Sequence, residues 1–151
     1  MPMSDERTLI RARGVRPGVA TGPALVSGRP FMFAHGVDPA TGRVIDVRSD
    51  LFGQSIVGRV LIFPTGKGST TGSAWLLETI RQGNGPLAIV NQETEPIIAT
   101  ALVMARLLYG LTIPLVDRLE RDITSLLSTG SVVTVDGNMA TVSIVQEEKT
   151  L

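Results

Sequence analysis

The chain has 151 residues, 43% of them apolar and 19% charged, enough for one globular domain with its own core and unlike a disordered segment. Its formal net charge is zero, which argues against a nucleic-acid binder working through a basic surface. It contains no cysteine, so by itself it holds no iron–sulfur cluster, zinc–thiolate site or disulfide.

Residues 1–8 read as a flexible, polar N-terminus without the basic stretch and apolar core of a signal peptide. The longest apolar windows are broken by Arg, Gly or Pro well short of a membrane span, and a cytoplasmic protein without membrane or nucleic-acid partners is expected. Leu9 to Val15 and Ala20 to Val26 read as strands around the turn Arg16-Pro17-Gly18, and Phe31-Met32-Phe33 as a third. A loop rich in turn residues follows from His35 to Gly42. Ser55 to Phe63 reads as the strongest central strand. A helix from about Thr71 to Gln82 stops at Gly83. Pro86 to Val90 is a short strand. Thr94 would cap a second helix, with Glu95 and Pro96 in its first turn, running through Ile97, Ala101, Met104 and Leu108 to Gly110. Met104 reads as core. Leu111 to Val116 is a strand and Leu119 to Leu127 a short helix. Ser131 to Val135 and Met139 to Val145 form a hairpin around Asp136-Gly137-Asn138. A βαβαβα middle with β-rich ends predicts one α/β domain over 9–146, with 147–151 as a tail. The expected architecture is a three-layer β/β/α domain: a central mostly parallel sheet, helices on it, and an added antiparallel β layer.

The run Gly66-Lys67-Gly68-Ser69-Thr70-Thr71-Gly72-Ser73 lies between the central strand and the first helix. Free N–H groups at a helix N-terminus attract negative charge, and glycines let a ligand approach the backbone. Lys is rare here, only Lys67 and Lys149, which draws attention to the one inside this turn. The same residues also suit a plain strand–helix connection capped by Ser or Thr. A nucleotide-binding P-loop requires Gly-Lys followed directly by Ser or Thr, and Gly68 intervenes. Glu93 and Glu95 either compensate a helix dipole or orient a substrate or partner. His35 and Asp38 read as loop residues, and Asp117 either faces a cleft or serves as a structural cap.

Several motifs in order resemble the small subunit, or swivel domain, of the aconitase X family: Gly36-Val37-Asp38-Pro39-Ala40-Thr41-Gly42, then Gly58 through Thr70, Asn91 through Ile97, Ile113 through Asp117, and Val133 through Gly137. The resemblance covers roughly residues 11–138. It implies a swivelling β/β/α fold and a share in a hydro-lyase acting on a β-hydroxy acid. That acid would be (R)-5-phosphomevalonate, giving trans-anhydromevalonate 5-phosphate, or cis-3-hydroxy-L-proline. It implies a large-subunit partner whose cysteines hold an iron–sulfur cluster. It makes Ser69 the catalytic proton acceptor. Lys67 would then stabilise charge, and Gly66, Gly68 and Thr70 would bind the small carboxylic-acid substrate. No metal is expected on this chain. Gly18 to Ala24 and Gly130 to Gly137 are also similar to the ends of swivelling phosphohistidine domains, but those need a His at the central turn, and the one His is His35. A non-catalytic anion-binding module is the other reading.

Overall fold

The computed structural model describes residues 6–68 and 70–146. Its strands are β1 (Glu6–Arg11), β2 (Arg13–Arg16), β3 (Val19–Val26), β4 (Val60–Phe63), β5 (Ala88–Asn91), β6 (Leu115–Asp117), β7 (Val132–Asp136) and β8 (Thr141–Gln146). Helix α1 is Thr71–Arg81 and α2 is Pro96–Tyr109. The lateral order is β1-β8-β7-β3-β4-β5-β6-β2.

β3 belongs to two layers. Its first half pairs antiparallel with β7 and its second half parallel with β4. β4, β5 and β6 continue the parallel run, with α1 and α2 as crossovers. β1, β8, β7 and the start of β3 form the antiparallel layer. The two-residue period of a strand then sorts the core into two. Leu61, Phe63, Ile89 and Leu115 face the helices, against Leu76, Ile80, Ile98 and Leu102. Val60, Ile62, Val90 and Val116 face the second sheet, against Ile10, Val133, Val142 and Ile144. Strands apolar on both faces, covered on both, give the expected three-layer β/β/α architecture.

Several local expectations are corrected. β1 begins at Glu6, inside the segment expected to be loose, because its residues pair with β8; residues 1–5 and the expected tail 147–151 lie outside the described residues. Phe31 and Phe33 are not in a strand. Their rings pack on Phe63, and Phe31 makes only a single bridge, to Gly66. Ser55 to Arg59 is turn rather than strand: Ile56 donates its N–H to Gly42 while its side chain enters the helix-facing core. Leu119 to Leu127 holds only a 3-10 turn, Ile123–Ser125, capped by Asp122, with Leu119, Leu126 and Leu127 covering the inter-sheet core. Strand β6 is shorter than Leu111–Val116 because Pro114 has no N–H to donate. Met104 is on the exposed side of α2, whose buried stripe is Ile98, Ala101, Leu102 and Ala105.

Candidate functional site

In parallel α/β layers, ligands bind beyond the carboxyl ends of the strands. Here the loops leaving β4, β5 and β6 are tied to each other at that end. Gln92 and Glu93 donate their N–H groups to the Pro64 carbonyl at 2.9 and 3.2 Å, and Arg118 donates to Gln92 O at 2.9 Å.

The Gly-rich turn leaves β4 at this end. Phe31 N–H donates to Thr65 O and Lys67 N–H to Phe31 O, both at 2.9 Å, so the turn is held by a segment outside the sheet. Gly66 is buried against the start of α2: a Cβ there would meet Glu95 Oε2 and Ile98 Cδ1, each at 3.0 Å. Gly68 has φ 111°, a conformation side-chain-bearing residues avoid, and Met32 covers it. Lys67 is exposed and makes no ion pair among the described residues. Ser69 lies outside the described residues. Thr70 takes the cap position of α1, yet its side chain makes no capping hydrogen bond, and no acidic residue sits in the first turn. The plain capping role is therefore not performed by Thr70, and the positive end of α1 meets no carboxylate from its own first turn.

The flanking candidates divide. Asp117 is fully buried and structural. It accepts two bonds from the Arg13 guanidinium, at 2.8 and 2.7 Å, and one from the Thr94 N–H at 3.0 Å. Burial pushes its pKa up, but the bonds from Arg13 and Thr94 outweigh this and hold the carboxyl below the ordinary aspartate range. Glu93 is closed onto Arg118 at 2.9 and 3.1 Å, and that hydrogen bonding lowers its pKa. Thr94 does not cap α2. Its N–H is engaged by Asp117, and Glu95 is the cap residue. Glu95 makes no capping bond and turns its carboxylate to Gly66 instead. His35, at φ 60°, tilts its ring over Trp75 at 4.4 Å between centroids. Asp38 closes its own loop by accepting from Ala40 N–H at 2.9 Å, and Asn84 Nδ2 donates to Pro39 O at 2.9 Å, so this motif is scaffold.

Sequence reasoning missed Arg13 as the partner of Asp117, Met32 over Gly68 and the approach of Glu95 to Gly66. Each joins segments far apart in the chain, and no spacing signals them. A cavity of about 330 Å³ opens on the inter-sheet side of this end, lined by Ile62, Val90, Asn91, Arg118 and Ile123; it reaches Pro64 and Gln92 but none of Gly66, Lys67, Gly68 or Thr70. Among the described residues no group of His, Asp or Glu is arranged to hold a metal ion, and the chain offers no cysteine to a cluster. No helix among them is long and apolar enough to cross a membrane.

A Gly-rich, cation-bearing turn at the carboxyl edge of the parallel layer, on a β/β/α frame, defines a swivel-type domain that presents one face of a ligand site. The chain belongs to the aconitase X swivel-domain family, whose model matches residues 9–144. It is 41% identical over 135 residues to the phosphomevalonate dehydratase small subunit of Methanocella arvoryzae, covering 89% of this chain and 98% of that one. The corresponding protein of Methanothermobacter thermautotrophicus is 43% identical over 129 residues, covering 85% and 94%. The crystal structure of the holo form of Thermococcus kodakaraensis aconitase X superposes with a TM-score of 0.83 at 39% identity, covering 92% of this chain and 99% of that one. The phosphohistidine reading is not favoured: His35 lies on Trp75, not in the strand–helix turn.

Proposed function

We propose that this chain is the small subunit of a hydro-lyase that dehydrates (R)-5-phosphomevalonate, with Ser69 as the proton acceptor. The observation that carries this reading is identity of about 40%, over nearly the whole length of each relative, to proteins named phosphomevalonate dehydratase small subunit. That favours the phosphorylated substrate over 3-hydroxyproline.

Dehydration removes a proton next to a carboxylate and expels a β-hydroxyl. Without cysteine the chain offers no thiolate to an iron–sulfur cluster, so the cluster is assigned to the large partner and the proton is this chain's share. Lys67 is placed to attract the substrate's anionic groups, since it is exposed and makes no ion pair among the described residues. Gly66, Gly68 and Thr70 bring backbone close to the same anion at the positive end of α1.

The test is dehydration of 5-phosphomevalonate by the purified pair of subunits, with 3-hydroxyproline as the control substrate. Ser69→Ala is expected to form the complex normally and to lose turnover by about 100-fold or more, the usual worth of a positioned proton acceptor. Near-normal turnover in that variant would overturn the role of Ser69.

A further inference from the structure

Glu95 is the carboxylate that this end of the sheet leaves uncommitted. Glu93 is closed by Arg118, and Asp117 by Arg13 and Thr94. Glu95 caps nothing, has no ion pair among the described residues and is only half-buried. Its Oε2 lies against Gly66, 3.0 Å from where a Cβ on that glycine would sit. Gly66 is therefore small because Glu95 occupies the space beside it. The backbone that carries Glu95 is held firmly. Gln92 and Glu93 bond to Pro64, Thr94 bonds to Asp117, and Pro96 sets the next residue as the first of α2. A side chain fixed from both neighbours, aimed at the reactive turn rather than at its own helix, is poorly explained as dipole compensation.

A carboxylate beside this turn also bears on how a serine could act there. A neighbouring negative charge disfavours a second one, so a standing alkoxide is the costly form of Ser69. A hydroxyl that passes its proton on as it takes another avoids that form.

We propose that Glu95 is the final acceptor of the proton removed at Ser69, reached directly or through one water; this rests on the reading of Ser69 given above. In the step, the substrate C–H bond next to the carboxylate breaks and its proton forms a new O–H bond on Ser69 Oγ. The original hydroxyl proton of Ser69 moves to the Glu95 carboxylate. The C–H electron pair becomes the new C=C bond, and hydroxide leaves with the C–O pair. Ser69 stays neutral throughout, and Glu95 ends protonated and returns its proton to water. Glu95 thus works through Ser69 and positions the proton, without touching the reacting carbon.

The experiment compares wild type, Glu95→Gln, Glu95→Asp, Glu95→Ala and Ser69→Ala, each assembled with the large subunit and checked for complex formation by size-exclusion chromatography. For Glu95→Gln, kcat is expected to fall about 100-fold while KM stays within about threefold. Glu95→Asp, which keeps the acid on a shorter arm, should retain more activity than Glu95→Gln. Added formate should restore part of kcat to Glu95→Ala and none to Ser69→Ala, a response that a purely structural role would not give. The relay is overturned if Glu95→Gln keeps wild-type kcat while Ser69→Ala is inactive. It is equally overturned if the loss lies in KM and formate does nothing. Activity in Ser69→Ala would instead bring down the reading of Ser69 itself, and the relay with it.

Discussion

Asp117 shows how a buried charge can serve a site it never enters. Its carboxylate holds Arg13 on β2 and the Thr94 N–H on the loop before α2, so it fixes the backbone that presents Glu95. Asp117→Asn should cost about 2–3 kcal/mol at neutral pH, because charge-assisted bonds are lost in a buried place. The folded protein holds this carboxyl below its ordinary range, so its contribution is complete above the unfolded value of about 4 and fades as pH falls through the lower folded value. The gap between wild type and Asp117→Asn should therefore narrow below about pH 4, which urea midpoints at pH 7 and at acid pH would reveal. At this scale the sequence discloses what lies in one continuous run. Lys67, Gly68 and Ser69 stand out because they are adjacent. Arg13 with Asp117, and Gly66 with Glu95, are joined only by the fold, and nothing local in either partner announces the other.

Helix α1 starts without a carboxylate in its first turn and without a cap from Thr70. Ordinary helices gain about 0.3–1 kcal/mol from an acid there, so its absence leaves the helix somewhat less stable and its positive end open to an anion. Ser73→Asp should raise the thermal midpoint slightly and weaken the binding of an anionic substrate by severalfold, two readouts moving in opposite directions. Elements with local punctuation were legible almost to the residue. Gly83 and Gly110 follow α1 and α2 closely, and Pro96 opens α2. Elements inferred from apolar content alone were not. Phe31, Phe33, Ile56 and Leu119 are apolar because loops must cover the two cores, and a hydrophobic residue in a turn resembles one in a strand or helix until its hydrogen bonds are known. Thr94 looked like the cap of α2 because threonine favours that position, but Asp117 claims its N–H and moves the cap to Glu95.

At the scale of the molecule, the three layers were readable because β4 and β5 are apolar on both faces, which only a doubly covered sheet requires. The chain alone is expected to fold and to give no turnover, and activity should appear on mixing with a separately purified large subunit; turnover by the isolated chain would contradict its role as half of a site. What could not be read is the closure of the frame. β1 and β2 are one run broken at Ala12, yet β1 pairs with β8 and β2 with β6, at opposite ends of the strand order. This has a consequence for biosynthesis. The first strands to leave the ribosome pair only with strands from the last third of the described chain, so neither can settle until synthesis is almost finished. Nascent chains stalled before β6 should stay open to protease throughout that run, and refolding should be paced by the slow search that joins distant segments.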